Sequence, residues 1–330
     1  MPDVDFRALV ARAALAPTVH NTQPARWKRD GRGAWLAADL SVGLAHGDPL
    51  GLDLGLSCGA VAEAMVLALS EVGQSAAVTD LWANDDRQTL PGHRMAARID
   101  WEPGGPVDEL ARQLEARFTH RGAFLPDPVA LVGWSRSDAV LVTDAAGKDW
   151  LAGLQDQAGL QVMQNRPFRR ELLGWMRLTR LHRRYHFDGL GRESMRLNSV
   201  EAMAARLALG PLWPLFDRLG LTASLTAEAA ATRSAQVVAC FHRPATESPV
   251  TVGQAYLRLC LEAAALGLAG WPMAAASDDP PTNAAICARY GIGPDRRLVQ
   301  VIRFGVASVA PPPRARRPVS EVILSPGIRP

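Results

Sequence analysis

The stretch Ala16-Pro-Thr-Val-His-Asn-Thr-Gln-Pro-Ala-Arg-Trp27 breaks an apolar helical run, FRALVARAALA (6–16), at Pro17, and sets Thr18, His20, Asn21, Thr22 and Gln23 before Pro24. Short polar residues between two prolines form a loop, because proline ends a helix and Thr, Asn and Gln bond readily to nearby backbone. A loop this rich in hydrogen-bonding groups, with hydrophobic sequence on either side, needs partners for all of them. What those partners are decides what the chain does.

Downstream, RWKRDGRGAWLAAD predicts a hairpin turning at Asp30-Gly31-Arg32-Gly33. DPLGLDLGL leads into SCGAVAEAMVLALSEVG, apolar almost all round and therefore a buried helix. HRMAARIDW alternates Met95, Ala97, Ile99 and Trp101 on one face of a strand. VDELARQLEARF is amphipathic, and THRGAFLPDP after it is a turn. DAVLVTD and AQVVACFHR suit buried strands. About ninety residues of mostly helical pattern separate them. TVGQAYLRLCLEAAALGLAGW is a second buried helix, RLVQVIRFGVA a late strand, and APPPRARRPVSEVI a tail that runs extended over the surface. Gly59 and Gly73 bracket the first buried helix, and Gly253 and Gly267 bracket the second at the same spacing. Two related halves would give this echo. So would two unrelated Ala/Leu helices that each end in glycine.

With 330 residues, 48% of them hydrophobic and 21% charged, the chain can bury a full core. Cys58, Cys240, Cys260 and Cys287 form no CxxC pair, which fits a reducing cytoplasm rather than a disulfide framework. MPDVDFRAL is no secretory signal, and the most apolar stretches are too short or too charged to span a bilayer. No P-loop, HExxH or GxSxG occurs, and DGLGRES lacks the βαβ setting of a dinucleotide fingerprint. HRRYH sets His182 and His186 four apart, but its arginines oppose a metal and no third ligand is evident. Basic residues are spread along the chain without a nucleic-acid-binding motif. Two clusters stand out: RFTHR, with Arg117, Thr119 and Arg121, and RARR, with Arg314, Arg316 and Arg317. Guanidinium groups at such spacing suit a phosphate.

Taken in order along the chain, these segments resemble the nitroreductase family of FMN-dependent oxidoreductases, and more narrowly its Acg-like branch. APTVHNTQP resembles the family loop APSxxNxQPW. DPLGLDLGLSCGAVAEAMVLAL resembles the branch's Asp-Pro to Ser-Cys-Gly-Ala stretch, and RFTHRGAF resembles RRTNRRPF. VGQAYLRLCLEAAALGL, LVQVIRFGVA and RARRPVSEVI resemble the late helix, the late strand and the closing RxRxP. Ala25 stands in place of the Trp of QPW, Phe118 in place of a polar residue, and His120 in place of Asn. The Arg-Glu common after Asp-Pro is missing.

The resemblance implies an α+β nitroreductase-like sandwich: a mixed, largely antiparallel sheet flanked by helices and duplicated within one chain as a pseudo-dimer. It implies a first half at 1–108 and a second at 109–330, with a helical, lid-like insertion at about 166–226. It implies FMN as cofactor, lined by Pro17, Thr18, Val19 and Asn21. Arg117, Thr119 and Arg121 would lie along the phosphate, ribityl chain and ring, and Arg314 and Arg316 on the phosphate. Pro272, Ala274 and Ala275 of GWPMAA would lie beside the reactive ring nitrogen. No protein side chain acts as acid or nucleophile, since the flavin carries the chemistry, and no metal is called for. The implied activity passes hydride from NAD(P)H to a small acceptor such as a quinone or nitro compound, without nucleic-acid or membrane partners. The chain would act as a monomeric pseudo-dimer or weak homodimer. The alternative is an FMN-sequestering or storage protein with little turnover. Trp175, Tyr185, Phe187, Trp213 and Phe216 of the insertion could cover a flat ring or simply pack the insertion down.

Overall fold

Asp5 opens the first helix. Its carboxylate accepts hydrogen bonds from the N–H groups of Arg7 (3.0 Å) and Ala8 (3.2 Å), donors that a helix N-terminus leaves free. α1 (Phe6–Ala13) then buries Phe6, Leu9, Val10 and Ala13. The computed structural model describes residues 4–31, 33–83, 90–127, 129–131 and 133–324. β1 (Ala25–Asp30) and β2 (Gly33–Asp39) form the expected hairpin, with Asp30 opposite Gly33. Arg32 of the expected turn lies outside the described residues.

α2 (Leu52–Glu71), β3 (Gln74–Asp80) and β4 (His93–Pro103) complete a four-stranded sheet, antiparallel throughout, in the order β1-β2-β4-β3. Asp48 caps α2 by accepting the N–H groups of Leu52 and Leu54, each at 2.8 Å. α2 is long and apolar enough to cross a bilayer, yet it is mostly buried as the central core helix. The expected alternation in β4 fails at Met95. The register slips between Leu36 and Ala37 of β2, so Met95 pairs with Ala37 and Ala97 with Leu36. The extra residue turns Met95 to the opposite face, where it packs with Ala37 and Leu90, while Ala97, Ile99 and Trp101 stay in the main core. The amphipathic VDELARQLEARF gives only a 3-10 turn at Glu109–Arg112 and α3 (Gln113–Ala116). Ala111 and Leu114 pack in the first sheet's core.

Beyond these, β5 (Ala139–Val142) and α4 (Ala145–Gln164) precede the insertion. The insertion contains α5 (Arg166–Trp175), the short parallel pair β6 (Met176–Arg177) and β7 (Leu190–Gly191), α6 (Ser199–Leu209), α7 (Trp213–Arg218) and α8 (Thr222–Thr226). α9 (Ala229–Ser234) leads into β8 (Val237–Pro244), α10 (Pro249–Ala265) and β9 (Ala269–Pro272). α11 (Ala274–Asp278), α12 (Pro280–Tyr290), β10 (Arg296–Gly305) and α13 (Val319–Val322) follow. The second sheet runs β5-β8-β10-β9, also antiparallel throughout. The architecture is α+β, with two antiparallel four-stranded sheets flanked by helices. Both faces of β8 are covered, Val237, Ala239 and Phe241 on one side and Val238 and Cys240 on the other, as its unbroken apolar run requires.

Each sheet places its strands in the sequence first, second, fourth, third, and each has its long buried helix between the second and third. Those helices, α2 and α10, cross at Gly59 and Gly253, which lie inside them rather than bracketing them. A Cβ on Gly59 would stand 1.9 Å from the carbonyl oxygen of Val250, and one on Gly253 would stand 2.1 Å from that of Leu56. The contact is reciprocal, each glycine meeting the residue three positions before the other. Gly73 and Gly267 follow the helices in left-handed conformation, at φ 70° and 78°. The tail does not simply lie on the surface. Leu324 donates its N–H to the Trp27 carbonyl (2.8 Å), Ile323 bridges Trp27, and Val322 is buried in the first sheet's core.

Candidate functional site

The opening loop holds a backbone that few residues tolerate. His20, Asn21 and Gln23 have φ of 45°, 56° and 52°, a left-handed region in which His and Asn are enriched among residues with a side chain. Its polar groups tie distant segments together. Asn21 Nδ2 donates to the carbonyls of Gly189 (3.2 Å) and Ala315 (3.1 Å), while its Oδ1 accepts from Arg316 (3.1 Å). Gln23 Nε2 donates to the Phe187 carbonyl (2.7 Å), and its Oε1 accepts the Arg317 N–H (2.9 Å). Val19 N–H donates to Ser57 Oγ on α2 (3.1 Å). The loop thus clasps the insertion and the tail, which also bond to each other through Arg184–Glu321 and Arg317–Asp188.

Beneath this clasp lie two adjoining cavities. The first, of about 310 Å³, is walled by Arg117, Arg121, Arg180, Arg314 and Arg316 together with Tyr185, Glu193 and Pro312–Pro313. The second, of about 320 Å³, is walled largely by apolar groups, among them Leu56 of α2, Pro272, Ile302 and Phe304 of the second sheet, and Leu172 and Met195 of the insertion. Pro17, Thr18, Arg117, Phe118, Thr119, Arg121 and Leu190 belong to both. The RFTHR segment reaches this junction because it runs beside β9. Thr119 bridges Gly270, and His120 donates its N–H to the Gly270 carbonyl (3.1 Å). A Cβ on Gly270 would lie 2.7 Å from the Phe304 ring, so only glycine lets the strands approach this closely.

The charge on the shared wall is one-sided. Arg180 has a carboxylate partner, Glu193, at 3.0 Å. Arg117, Arg121, Arg314 and Arg316 meet only carbonyls and amides among the described residues. Arg121 donates to the Ser194 carbonyl (3.1 Å), and Arg117 to that of Leu15 (3.4 Å) with its Nε buried and unpartnered. Arg314 donates to the carbonyls of Glu115 and Arg117. Arg316 donates to the carbonyls of Ala14, Leu15 and Ala315 and to Asn21 Oδ1. Burial, with repulsion from neighbouring arginines, lowers Arg316 to about 9, and burial brings Arg121 to about 10. Carbonyl dipoles satisfy hydrogen bonds without cancelling charge, so this wall favours an anion.

Of the residues expected in the site, Pro17, Thr18, Arg117, Thr119 and Arg121 line both cavities. Asn21, Arg314 and Arg316 line the first, and Val19, Pro272 and Ala274 the second. Ala275 lines neither, and its carbonyl accepts the Asp279 N–H within the turn. Among the insertion aromatics only Tyr185 lines a cavity, while Trp213 is buried against Arg169. His182 and His186 lie in turns, not on a helix. Residues not anticipated include His20, Glu228, Trp271 and Gln300, and two helical pairs, Asp53 with Ser57 and Tyr256 with Cys260. The i, i+4 spacing of these pairs on otherwise apolar helices was the available signal. Burial lowers His20 to about 4, with repulsion from Arg121 adding to it and Glu171 opposing. Arg303, fully buried, stacks on Trp271 with its guanidinium carbon 3.9 Å from the ring centre and pairs with Glu228.

Two Mycobacterium tuberculosis proteins, MT3217 and Rv3131, both carrying a provisional NAD(P)H nitroreductase name, are 26% identical to this chain across 98% of its length and 92% of theirs. By sequence the chain is similar to these two proteins over nearly their whole length. No family model matches the chain. Solved structures with similarity include the FMN and NADPH-dependent nitroreductase NfnB of Sphigopyxis sp. strain HMH, at 20% identity and TM-score 0.35, covering 67% of this chain and 100% of that one. NfnB of Mycobacterium smegmatis in complex with NADPH follows at 22% identity and TM-score 0.32, covering 60% and 86%.

Proposed function

We propose that the protein is an FMN-dependent oxidoreductase that accepts hydride from a reduced nicotinamide and delivers it to a small acceptor such as a quinone or nitro compound. One observation carries the reading: a cavity walled by five arginines, four of them with no carboxylate partner among the described residues, adjoins an apolar chamber. That pairing suits a ligand with a phosphate at one end and a flat aromatic system at the other. The nitroreductase names of the two mycobacterial relatives agree with it. FMN, when bound, supplies the hydride chemistry. Arg117, Arg121, Arg314 and Arg316 would hold the phosphate end through charge-assisted hydrogen bonds. Pro17, Val19 and Pro272 would give the ring flat apolar contacts. Leu172, Leu190 and Met195 of the insertion keep water from that chamber and leave less room for a bulky acceptor. Arg121 supplies a fixed buried cation where negative charge would develop on reduction.

We also read the chain as two related halves, 1–108 and 109–330, sharing one site. The repeated strand order and the reciprocal glycine contact support this, and α13 carries the tail of the second half onto the first. FMN titration by fluorescence quenching tests the assignment. Arg121→Ala and Arg314→Ala should each weaken binding by about 1–3 kcal/mol, the range for hydrogen bonds to charged groups. Wild-type affinity in both variants would overturn it. NAD(P)H oxidation with quinone and nitro acceptors then separates an enzyme from an FMN-storing protein, which would bind flavin and not turn over.

A further inference from the structure

The positive charge of this chain is concentrated in the insertion. Residues 166–226 hold eleven arginines against five carboxylates, while the whole chain carries only +3. Several of these arginines are paired: Arg177 and Arg184 with Asp188, Arg180 with Glu193. Arg166, Arg169 and Arg170 are not. They surround a separate cavity of about 410 Å³ beside α5, closed by Leu173, by Pro211 between α6 and α7, and by Pro214 at the start of α7. No carboxylate is among the described residues that line it. Asp217, the nearest acidic influence on Arg169, is held by the amide of Gln164 at 2.7 Å and stays out of the wall.

Arg169 is the core of this arrangement. It is only 7% exposed, its guanidinium carbon sits 4.4 Å from the centre of the Trp213 ring, and one amino group donates to the Met163 carbonyl. Its Nε is buried with no partner. The stack fixes the guanidinium plane without neutralising it. Arg166, Arg169 and Arg170 are spaced i, i+3, i+4 in the first turns of α5, hence on one face, where the helix dipole adds positive potential. Three like charges around one cavity repel unless an anion enters.

We infer that this cavity is a second anion site, built for a phosphate-bearing ligand and separate from the flavin site. Its forked donors match phosphate oxygens. The phosphate could be free, or it could be the 2′-phosphate of a nicotinamide donor, because α5 also contributes Leu172 to the apolar chamber. The anion site itself does not depend on the flavin reading, because pyrophosphate binding is measured directly; only its assignment to a nicotinamide donor rests on that reading.

The test is calorimetric titration of the flavin-saturated protein with pyrophosphate, alongside Arg166→Ala/Arg170→Ala, two exposed positions whose loss should leave the circular dichroism unchanged. Binding to the wild type that weakens with salt and falls at least tenfold in the double variant is the expected result. A parallel rise in KM for NADPH but not for NADH identifies the donor's 2′-phosphate as the source. Unchanged KM for both, with pyrophosphate binding lost, identifies a free anion. Wild-type pyrophosphate binding in the double variant would overturn the site. So would an absence of pyrophosphate binding to the wild type together with unchanged KM values in the variant.

Discussion

His20 sits at the meeting point of strain and burial. Its backbone is left-handed, its ring lines the apolar chamber, and its pKa falls from the ordinary 6.5 to about 4 because burial disfavours the imidazolium. The sign of the consequence follows. The unfolded chain takes up a proton below about 6.5, whereas the native protein resists until about 4. Stability contributed by neutral His20 is therefore complete above 6.5 and is lost as pH falls toward 4. Replacing His20 with Asn, which tolerates the same backbone, should flatten the acid limb of the Tm-versus-pH curve between those values. Parallel limbs in the two proteins would show that His20 titrates as it does in the unfolded chain. His20 also marks a limit of sequence reading. Thr18 and Asn21, expected from their motif positions, line the cavities. His20 occupies a variable motif position, and only the fold shows which way a left-handed residue turns its ring.

At the scale of elements, most of the secondary structure was legible, because buried strands and helices write their burial into unbroken apolar runs. The exceptions share one cause: a local interruption that periodicity averages away. One extra residue in β4 moves Met95 to the other face, and VDELARQLEARF collapses to a few turns. The glycine echo was visible, yet its meaning was not. Gly59 and Gly253 are the crossing point of α2 and α10, where backbone touches backbone, rather than helix ends. Gly59→Ala would set a methyl 1.9 Å from the Val250 carbonyl oxygen, and that atom cannot swing aside as a side chain could. The helices must separate, and overpacking of this kind costs about 3 kcal/mol. Urea unfolding should show the midpoint shifted with an unchanged slope. Gly153→Ala on α4 has nothing within 4 Å of its new Cβ and should show no such loss. Equal stability of both variants would mean that the crossing adapts.

At the scale of the whole molecule, the proposed flavin site predicts one copy per chain. If α2 and α10 are related by a twofold axis through Gly59 and Gly253, each site residue on one helix has a counterpart on the other. Asp53 and Ser57 correspond to Glu247 and Thr251, and Tyr256 and Cys260 to Ala62 and Val66. The polar counterparts are held by other partners. Thr251 donates to Asp80 (2.9 Å), Glu247 is paired with Arg243 (2.6 Å), and Glu63 nearby is bonded by both Gln254 (3.1 Å) and Arg258 (2.7 Å). Hydrogen bonds and ion pairs thus engage these polar groups, and the sequence holds no second copy of RFTHR or APTVHNTQP to supply arginines and a loop. The expected outcome is one FMN per chain after saturation and desalting, with flavin absorbance measured against protein concentration. Arg121→Ala should lower that ratio toward zero at limiting flavin, without exposing a weaker second class of sites. A ratio near two would mean that the paired residues on the opposite side rearrange to admit a ring, and the single-site reading would fail.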